Sequence, residues 1–512
     1  MFRGLKALLS FALTTTLIVV GCEEGGFRTP LEEAEGDALT SHDDMMAFLN
    51  DLHDQTQGFT IDTIGTSVEG RSLVMLHFSG AATGDATAEG DAVPEKVKVL
   101  IDTQQHGNEP SGTEAAIALA RDIATGDFTD FLGSVDFYLI PQVNPDGAEA
   151  RQRQNAQDKD LNRDHLTLSS PEVLALHQVF SELMPEITLD VHEYGFAGRS
   201  WEEAGLHKDF GQQIGALSNA NMSMALREYA WDRYIPAMKE RLARRHVFLQ
   251  RYLVTDGPTA RFRYSTTALN DGRNSMGIYN SLSFLIEGMN GLTVEDNIRE
   301  RARQQLETMK AFLIFASENA VEVKGLVEAE RLLLSGDNAP AEVSIVMDYV
   351  PDPDRPTVSV GVIDIESGSP DTLVVEAFVP QVESNLSVQR PLGYAIPAGL
   401  TDVIEVLERH GVELSWAEGD ISATVETYRI ESAVTTEKED KEFLEVGVVG
   451  RRGTAVIPEG DVIVWCDQVG TNLIVILLEP QSQWGLAPLP EFVSMLEVGS
   501  AYPIRRIVES ME

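Results

Sequence analysis

His106, Glu109 and His192 are the residues of this chain best suited to hold a metal ion together. The first two lie in Gln105-His106-Gly107-Asn108-Glu109-Pro110, and His192 comes much later. Two imidazoles and one carboxylate, with a fourth position left to water, form the donor set of a catalytic zinc site. The same donors suit a borderline cation in general. A His-x-x-Glu alone is common as a surface histidine beside a helix-capping acid. Placement is what singles this one out. His106 and Glu109 fall where the apolar run Val97–Asp102 gives way to a helical pattern over Ser111–Ile123, and His192 ends the apolar run Ile187–Val191. Ligands of open α/β sheets gather outside the carboxyl ends of the strands, so the three side chains are expected to converge there.

A second group of polar residues lies between these ligands. Asn144-Pro145-Asp146-Gly147 is followed by Arg151, Arg153 and Asn155, then by Asp160-Leu161-Asn162-Arg163-Asp164. Arginine binds carboxylates through two parallel N–H groups, so Arg163 with Asn162 is a candidate clamp for a substrate carboxylate. Arg153 is a candidate for polarising a carbonyl and stabilising the oxyanion formed on it. Asp160 is placed to accept the free ring N–H of a metal-bound histidine. Arg151 reads as a solvated charge and Asp164 as a helix cap. His165, His177 and His207 read as structural or surface residues.

The elements that must position these groups alternate. Ser41 caps a helix through Met45, Phe48 and Leu52, and strands are expected at Phe59–Ile64 and Ser72–Phe78. Gly80–Pro94 reads as an exposed hairpin loop. Val135–Val143 is a strand ending in the Asn-Pro-Asp-Gly turn signal. Helices follow at Pro171–Met184 and Glu295–Glu318, with a strand at Leu282–Ile286 between them. The pattern predicts an α/β fold whose mixed, mainly parallel twisted sheet is flanked by helices, over residues 39–322. After Gly325 short β-rich runs prevail: Val343–Met347, Val358–Ile363, Thr372–Phe378, Ile421–Tyr428 and Val462–Val464. One helical stretch, Leu400–His410, interrupts them. Residues 325–512 are therefore expected to form a smaller β-rich accessory domain.

Composition limits the partners. The 512 residues carry 81 Asp and Glu against 39 Lys and Arg, a net charge of −42, which excludes general affinity for nucleic acid. Hydrophobic residues reach 43%, enough for packed cores, and the length suggests two or three domains. Arg3 and Lys6 precede the apolar stretch Leu8–Val20, which is too short for a comfortable membrane span. It ends in Val19-Val20-Gly21-Cys22, which resembles the bacterial lipobox. That resemblance implies a signal peptide over 1–21, lipidation of Cys22, a tether over 22–38, and a lipoprotein anchored on the periplasmic or cell-surface side. Cys466, in an apolar run, is expected to be buried without a disulfide partner.

His106-Gly-Asn-Glu109, Asn144-Pro-Asp-Gly147, Arg153-Gln-Asn155, Asp160-Leu-Asn-Arg163 and Asp190-Val-His192 together resemble the zinc metallocarboxypeptidases of the carboxypeptidase A type. Gly65-Thr-Ser67-Val-Glu-Gly70-Arg71 is similar to an early strand-turn segment of that family, and the resemblance covers roughly residues 40–320. It implies one Zn2+ per chain and a peptide substrate with a free C-terminal carboxylate. It also implies a catalytic glutamate on a late strand, which falls on Glu287 in Ser283-Phe-Leu-Ile-Glu287-Gly288. Arg273, in Asp271-Gly-Arg273-Asn274, falls near the specificity pocket, where it reads either as a selector of an acidic side chain or as a solvated loop charge. A tyrosine that closes over substrate has only Tyr264 and Tyr279 as candidates, and neither has convincing spacing. The deacylases of aspartoacylase and succinylglutamate desuccinylase type share His-Gly-Asn-Glu and Asp-Leu-Asn-Arg. The Asn-Pro-Asp-Gly turn and the early glycine segment favour the peptidase. A non-catalytic lipoprotein that binds peptides or cell-wall fragments would need a broken site, and every ligand is present.

Overall fold

A computed structural model describes residues 26–80, 95–209, 211–335, 339–438 and 441–509. The signal segment, Cys22 and nearly all of the 80–94 loop lie outside the described residues. No helix among those described is long and apolar enough to cross a membrane.

Among the described residues the first part of the chain has nine strands. They are β1 (Thr60–Thr66), β2 (Ser72–Ser79), β3 (Val97–Thr103), β4 (Val135–Ile140), β5 (Ile187–Tyr194), β6 (Leu206–Lys208), β7 (Gln212–Ala216), β8 (Leu249–Arg251) and β9 (Leu282–Met289). All except β6 join one sheet in the order β1-β2-β4-β3-β5-β9-β7-β8. Strands β4, β3, β5 and β9 run parallel, while β1, β2 and β7 supply antiparallel pairings. The expected mixed, mainly parallel sheet is therefore present. Its central strands are apolar runs because helices cover the sheet: every residue of β5 is buried, and all but Lys98 in β3. Helices Ser111–Ala124 and Ile298–Glu318 pack together beside it.

Several elements differ from the sequence reading. Asn144-Pro-Asp-Gly147 opens helix Pro145–Ala150 rather than a bare turn. The Asn144 side chain accepts the Gly147 N–H at 2.9 Å, and Pro145 sits where no backbone donor is needed. The expected tether is folded from Thr29 on. Thr29 and Glu32 form a capping box around helix Pro30–Glu33, and Leu31 is buried against Ile298 and Ala302. Ser41 caps helix His42–Thr56 as expected. Gly325, where composition changes, lies inside helix Ala320–Leu334, whose Val323 and Val327 are fully buried. The β-rich architecture begins later, at Glu342.

The C-terminal region is built around a long ribbon, Ile421–Lys438 paired with Lys441–Ile457, inside a six-stranded sheet. Gly447, Gly450 and Gly453 interrupt the apolar alternation of its second strand, which hides that strand in the sequence. Val358–Asp364 pairs with Pro370–Val375 and also with β6, so the two regions share a sheet. Cys466 is buried with a free thiol.

A buried histidine cluster joins the regions. His165 Nδ1 lies 2.9 Å from His177 Nε2, and the His177 and His410 rings meet edge to face at 5.5 Å. His410 Nε2 donates to the Leu166 carbonyl at 3.0 Å. Burial pushes His410 down from 6.5 to about 4. Because the folded value lies below the unfolded one, its contribution to stability is complete above pH 6.5 and is lost as pH falls toward 4. The melting temperature should therefore drop over this window, and His410→Gln, which keeps the donor to Leu166, should flatten the drop. An identical pH profile in the variant would contradict this.

Candidate metal centre

The site begins with register. In the parallel sheet Asp102 pairs with Asp190, Asp190 with Leu285, and His192 with Glu287. Side chains two apart on a strand share a face, so Asp190 stands beneath His192. Paired positions on neighbouring strands also share a face, which sets Glu287 beside His192. Register thus brings Glu287 of β9 to the Asp190 and His192 pair of β5, far away in sequence.

His106 and Glu109 enter from the turn after β3. A Cβ on Gly107 would come within 1.9 Å of the Gly147 backbone, so only glycine lets the two segments touch. Asn144 locks the contact by donating from its backbone to the Gln104 carbonyl (3.1 Å) and from Nδ2 to the Gln105 carbonyl (3.0 Å). Gly107 N–H donates to the Arg153 carbonyl at 3.4 Å, which carries Arg153 to the same place. The early glycine segment braces this from below. Ser67 Oγ and the Glu69 N–H both donate to Asp146, at 2.7 and 2.9 Å, and Arg71 pairs with it at 2.6 Å.

At the centre, His106 Nδ1 lies 2.8 Å from Glu109 Oε1, and His192 Nδ1 lies 3.0 Å from Glu109 Oε2. The two Nδ1 atoms are 3.0 Å apart, and all three side chains are buried. One ligand atom from each falls within 4.8 Å of the others. On the far side of each ring stands a carboxylate: Asp160 Oδ1 is 3.0 Å from His106 Nε2, and Asp190 Oδ1 is 2.8 Å from His192 Nε2. A carboxylate accepts and does not donate, so His106 Nε2, bonded to Asp160, carries the hydrogen, while His192 Nε2 faces both Asp190 Oδ1 and the Asn162 amide nitrogen. Both Nδ1 atoms face the Glu109 carboxylate. A cation between them satisfies all three ligand groups, which otherwise crowd together with the two Nδ1 atoms in contact. The donor set fits a zinc ion.

The other expected residues gather around a cavity of about 410 Å³ lined by His106, Glu109, Arg153, Arg163, Arg273 and Glu287, among others. Arg153 Nε donates to Asp160 Oδ2 at 2.9 Å and Nη1 to Glu109 Oε1 at 3.4 Å, with part of its side chain open to the cavity. Arg163 is exposed on the cavity wall, and Nη1 donates to the Asn162 carbonyl. Asn162 is buried, with Nδ2 2.9 Å from His192 Nε2 and Oδ1 accepting the Gly272 N–H at 2.9 Å. It therefore ties the His192 ring to the loop before Arg273. Arg273 is fully buried on the cavity floor, with Nη1 donating to Ser265 Oγ (2.6 Å) and Nη2 paired with Asp271 (3.0 Å). Its charge is already balanced, which weakens the expectation that it selects an acidic side chain. Burial lifts the Glu287 carboxyl from 4.5 to about 7; Glu109 adds to the rise, while His192, His106 and Arg153 oppose it.

Neither expected tyrosine reaches the cavity. The Tyr279 hydroxyl is buried on the His410 carbonyl at 3.1 Å, and Tyr264 lines a different cavity. The cavity is lined instead by Tyr252, which sequence reading missed; its place just after β8 was the available signal. Glu193 was missed as well. Its N–H donates to Glu109 Oε2 at 2.9 Å, and its carboxylate is held by buried Arg301 at 2.8 Å. Nothing in sequence distinguishes it from an ordinary acid next to His192. Arg151 is exposed and paired with Glu295, and His165 and His177 are structural. Asp164 organises the turn to Ser170 by accepting from Thr167, Ser169 and Ser170.

Comparison with known proteins gives a consistent result. Carboxypeptidase 2 of Trichophyton rubrum is 25% identical over 462 residues, spanning 86% of this chain and 81% of that protein. Carboxypeptidase E of Caenorhabditis elegans is 31% identical over 165 residues, 28% of this chain and 34% of that protein. A metallo-carboxypeptidase from Burkholderia cenocepacia overlaps 54% of this chain and 69% of its own, with a TM-score of 0.40 and 20% identity. Residues 45–192, which carry all three candidate ligands, match the family described as zinc carboxypeptidase.

Proposed function

We propose that the protein is a zinc-dependent carboxypeptidase that hydrolyses the C-terminal peptide bond of a substrate held in the cavity of His106, Glu109, Arg153, Arg163 and Glu287. The convergence of two Nδ1 atoms on Glu109, with each opposite ring nitrogen facing a carboxylate, carries this reading. His106, Glu109 and His192 would hold the zinc, which would supply Lewis acidity and make water a nucleophile near neutral pH.

The protein's own groups do the rest. Glu287 accepts the proton of the attacking water on its carboxylate and later returns it to the departing amine nitrogen. Arg153, fixed by Asp160, presents N–H groups to the scissile carbonyl oxygen as negative charge builds on it. Arg163 holds the terminal carboxylate, and the Asn162 carbonyl steadies that guanidinium. Fixing the terminus turns a diffuse encounter into an aligned attack. Arg273 with Asp271 closes the cavity floor and sets the space left for the terminal side chain. Export and lipid attachment at Cys22 belong to the same proposal, supported by the Leu8–Val20 and Val19-Val20-Gly21-Cys22 patterns. Incorporation of labelled palmitate that is lost in Cys22→Ala supports it, and equal labelling of the variant contradicts it.

Glu287→Gln should keep its metal and lose about 10²–10⁴-fold in kcat. The acidic limb of kcat/KM in the parent should lie between 4.5 and 7, since burial raises Glu287 and a nearby dication pulls it back. Near-normal turnover in the variant would remove Glu287 from the role of base. Substrate polarity is tested with matched peptides bearing free or amidated C-termini. Only the free acids should be cleaved efficiently, whereas equal cleavage of the amides would exclude a carboxypeptidase. Faster turnover of N-acetyl- or N-succinyl-amino acids than of blocked dipeptides would favour a deacylase.

A further inference from the structure

The chain just after β8 and the segment Phe262–Ser265 form a thin wall with a cavity on each side. Tyr252, Arg263 and Ser265 face the catalytic cavity. Their neighbours Arg251 and Tyr264 face a second cavity of about 840 Å³, which reaches Arg355 and Gln381 of the C-terminal region. Alternation along extended chain makes one wall serve both.

The second cavity contains an unusual cation. The Arg251 guanidinium lies 3.4 Å from the ring centroids of both Trp231 and Tyr264, whose planes are 29° apart. The sandwich covers both faces of the guanidinium and leaves only its N–H edge to bind. Arg227 lines the same cavity. The Nε atoms of Arg227 and Arg251 are buried without a hydrogen-bond partner. Glu228 and Asp232 also line the cavity, but among the described residues no carboxylate forms an ion pair with Arg227 or Arg251, while Arg355 is paired with Asp352 at 2.8 Å. A half-buried cation without a direct ion pair is costly. It is more unexpected in a chain with 81 acidic and 39 basic side chains.

We propose that this cavity is a second ligand site, separate from the catalytic one, in which Arg251 and Arg227 bind the oxyanion group of a small molecule, a carboxylate or a phosphate. Flat, edge-on N–H donors match two oxygens of either group. Burial also pulls Arg251 down to about 10, a cost that an anion would relieve. The site stands on its own geometry and does not depend on the peptidase reading.

Calorimetric titration of the full chain with inorganic phosphate, and separately with succinate, tests it at constant ionic strength against chloride. At least one probe should bind saturably. That binding should be lost in Arg251→Met, weaken at least tenfold in Arg227→Met, and persist in Arg163→Met, where only the catalytic cavity is altered. Phosphate alone binding identifies a tetrahedral oxyanion, and succinate binding a carboxylate. If Arg251→Met does not fold, the Arg227→Met comparison still decides. The proposal is overturned if neither probe binds, if binding survives both arginine changes at the second cavity, or if it disappears in Arg163→Met.

Discussion

Two carboxylates behind two imidazoles govern the centre of this molecule. Asp160 takes the Nε2 hydrogen of His106, Asp190 stands behind Nε2 of His192, and both Nδ1 atoms face Glu109. Everything nearby serves that arrangement. The parallel register of β3, β5 and β9 sets Asp190 beneath His192 and Glu287 beside it. The glycine contact of Gly107 with Gly147 lets the first ligand turn close against the segment bearing Arg153. Asp160 holds Arg153 with its second oxygen, so a single carboxylate orients both a ligand and an oxyanion donor. Such shared use makes the site rigid before substrate arrives, which is how preorganised electrostatics contributes most.

The sequence made the ligands legible because their signals are local and their elements strongly patterned. His106 and Glu109 follow an apolar strand, and His192 lies on another, so strand-end convergence was enough. Glu287 needed the family resemblance, since an acid late in an apolar strand has no local mark. Asn162 was read as a substrate clamp, and its amide instead ties His192 to Gly272. Tyr252, Glu193 and the balanced pair of Arg273 with Asp271 depend on tertiary contacts that no spacing reveals. In the C-terminal region the strands appeared as fragments because glycines thin the pattern of the long ribbon. The pairing of β6 with Val358–Asp364 crosses from one region to the other and has no sequence signature.

The charge of −42 is a property of the outer surface. Inward, the balance changes: Arg153 and Arg163 face the catalytic cavity, and Arg227 and Arg251 the one behind it. Cavities walled by protein screen such charges less than open water does, so local arginines can attract a carboxylate despite the overall repulsion. The buried histidines at His165, His177 and His410 link the two regions near the ligand turn through Gln105, whose Oε1 lies 2.8 Å from His165 Nε2. This cluster and the sheet shared by β6 and Val358–Asp364 are contacts between the two regions.

Metal content of the purified chain, measured by elemental analysis alongside His192→Ala and Asp190→Asn, tests the central claim most directly. The account predicts one zinc per parent chain, almost none in His192→Ala, and about 10–100-fold weaker zinc affinity in Asp190→Asn. Stoichiometric zinc in His192→Ala, or a parent chain that binds no zinc when supplied with it, would contradict it.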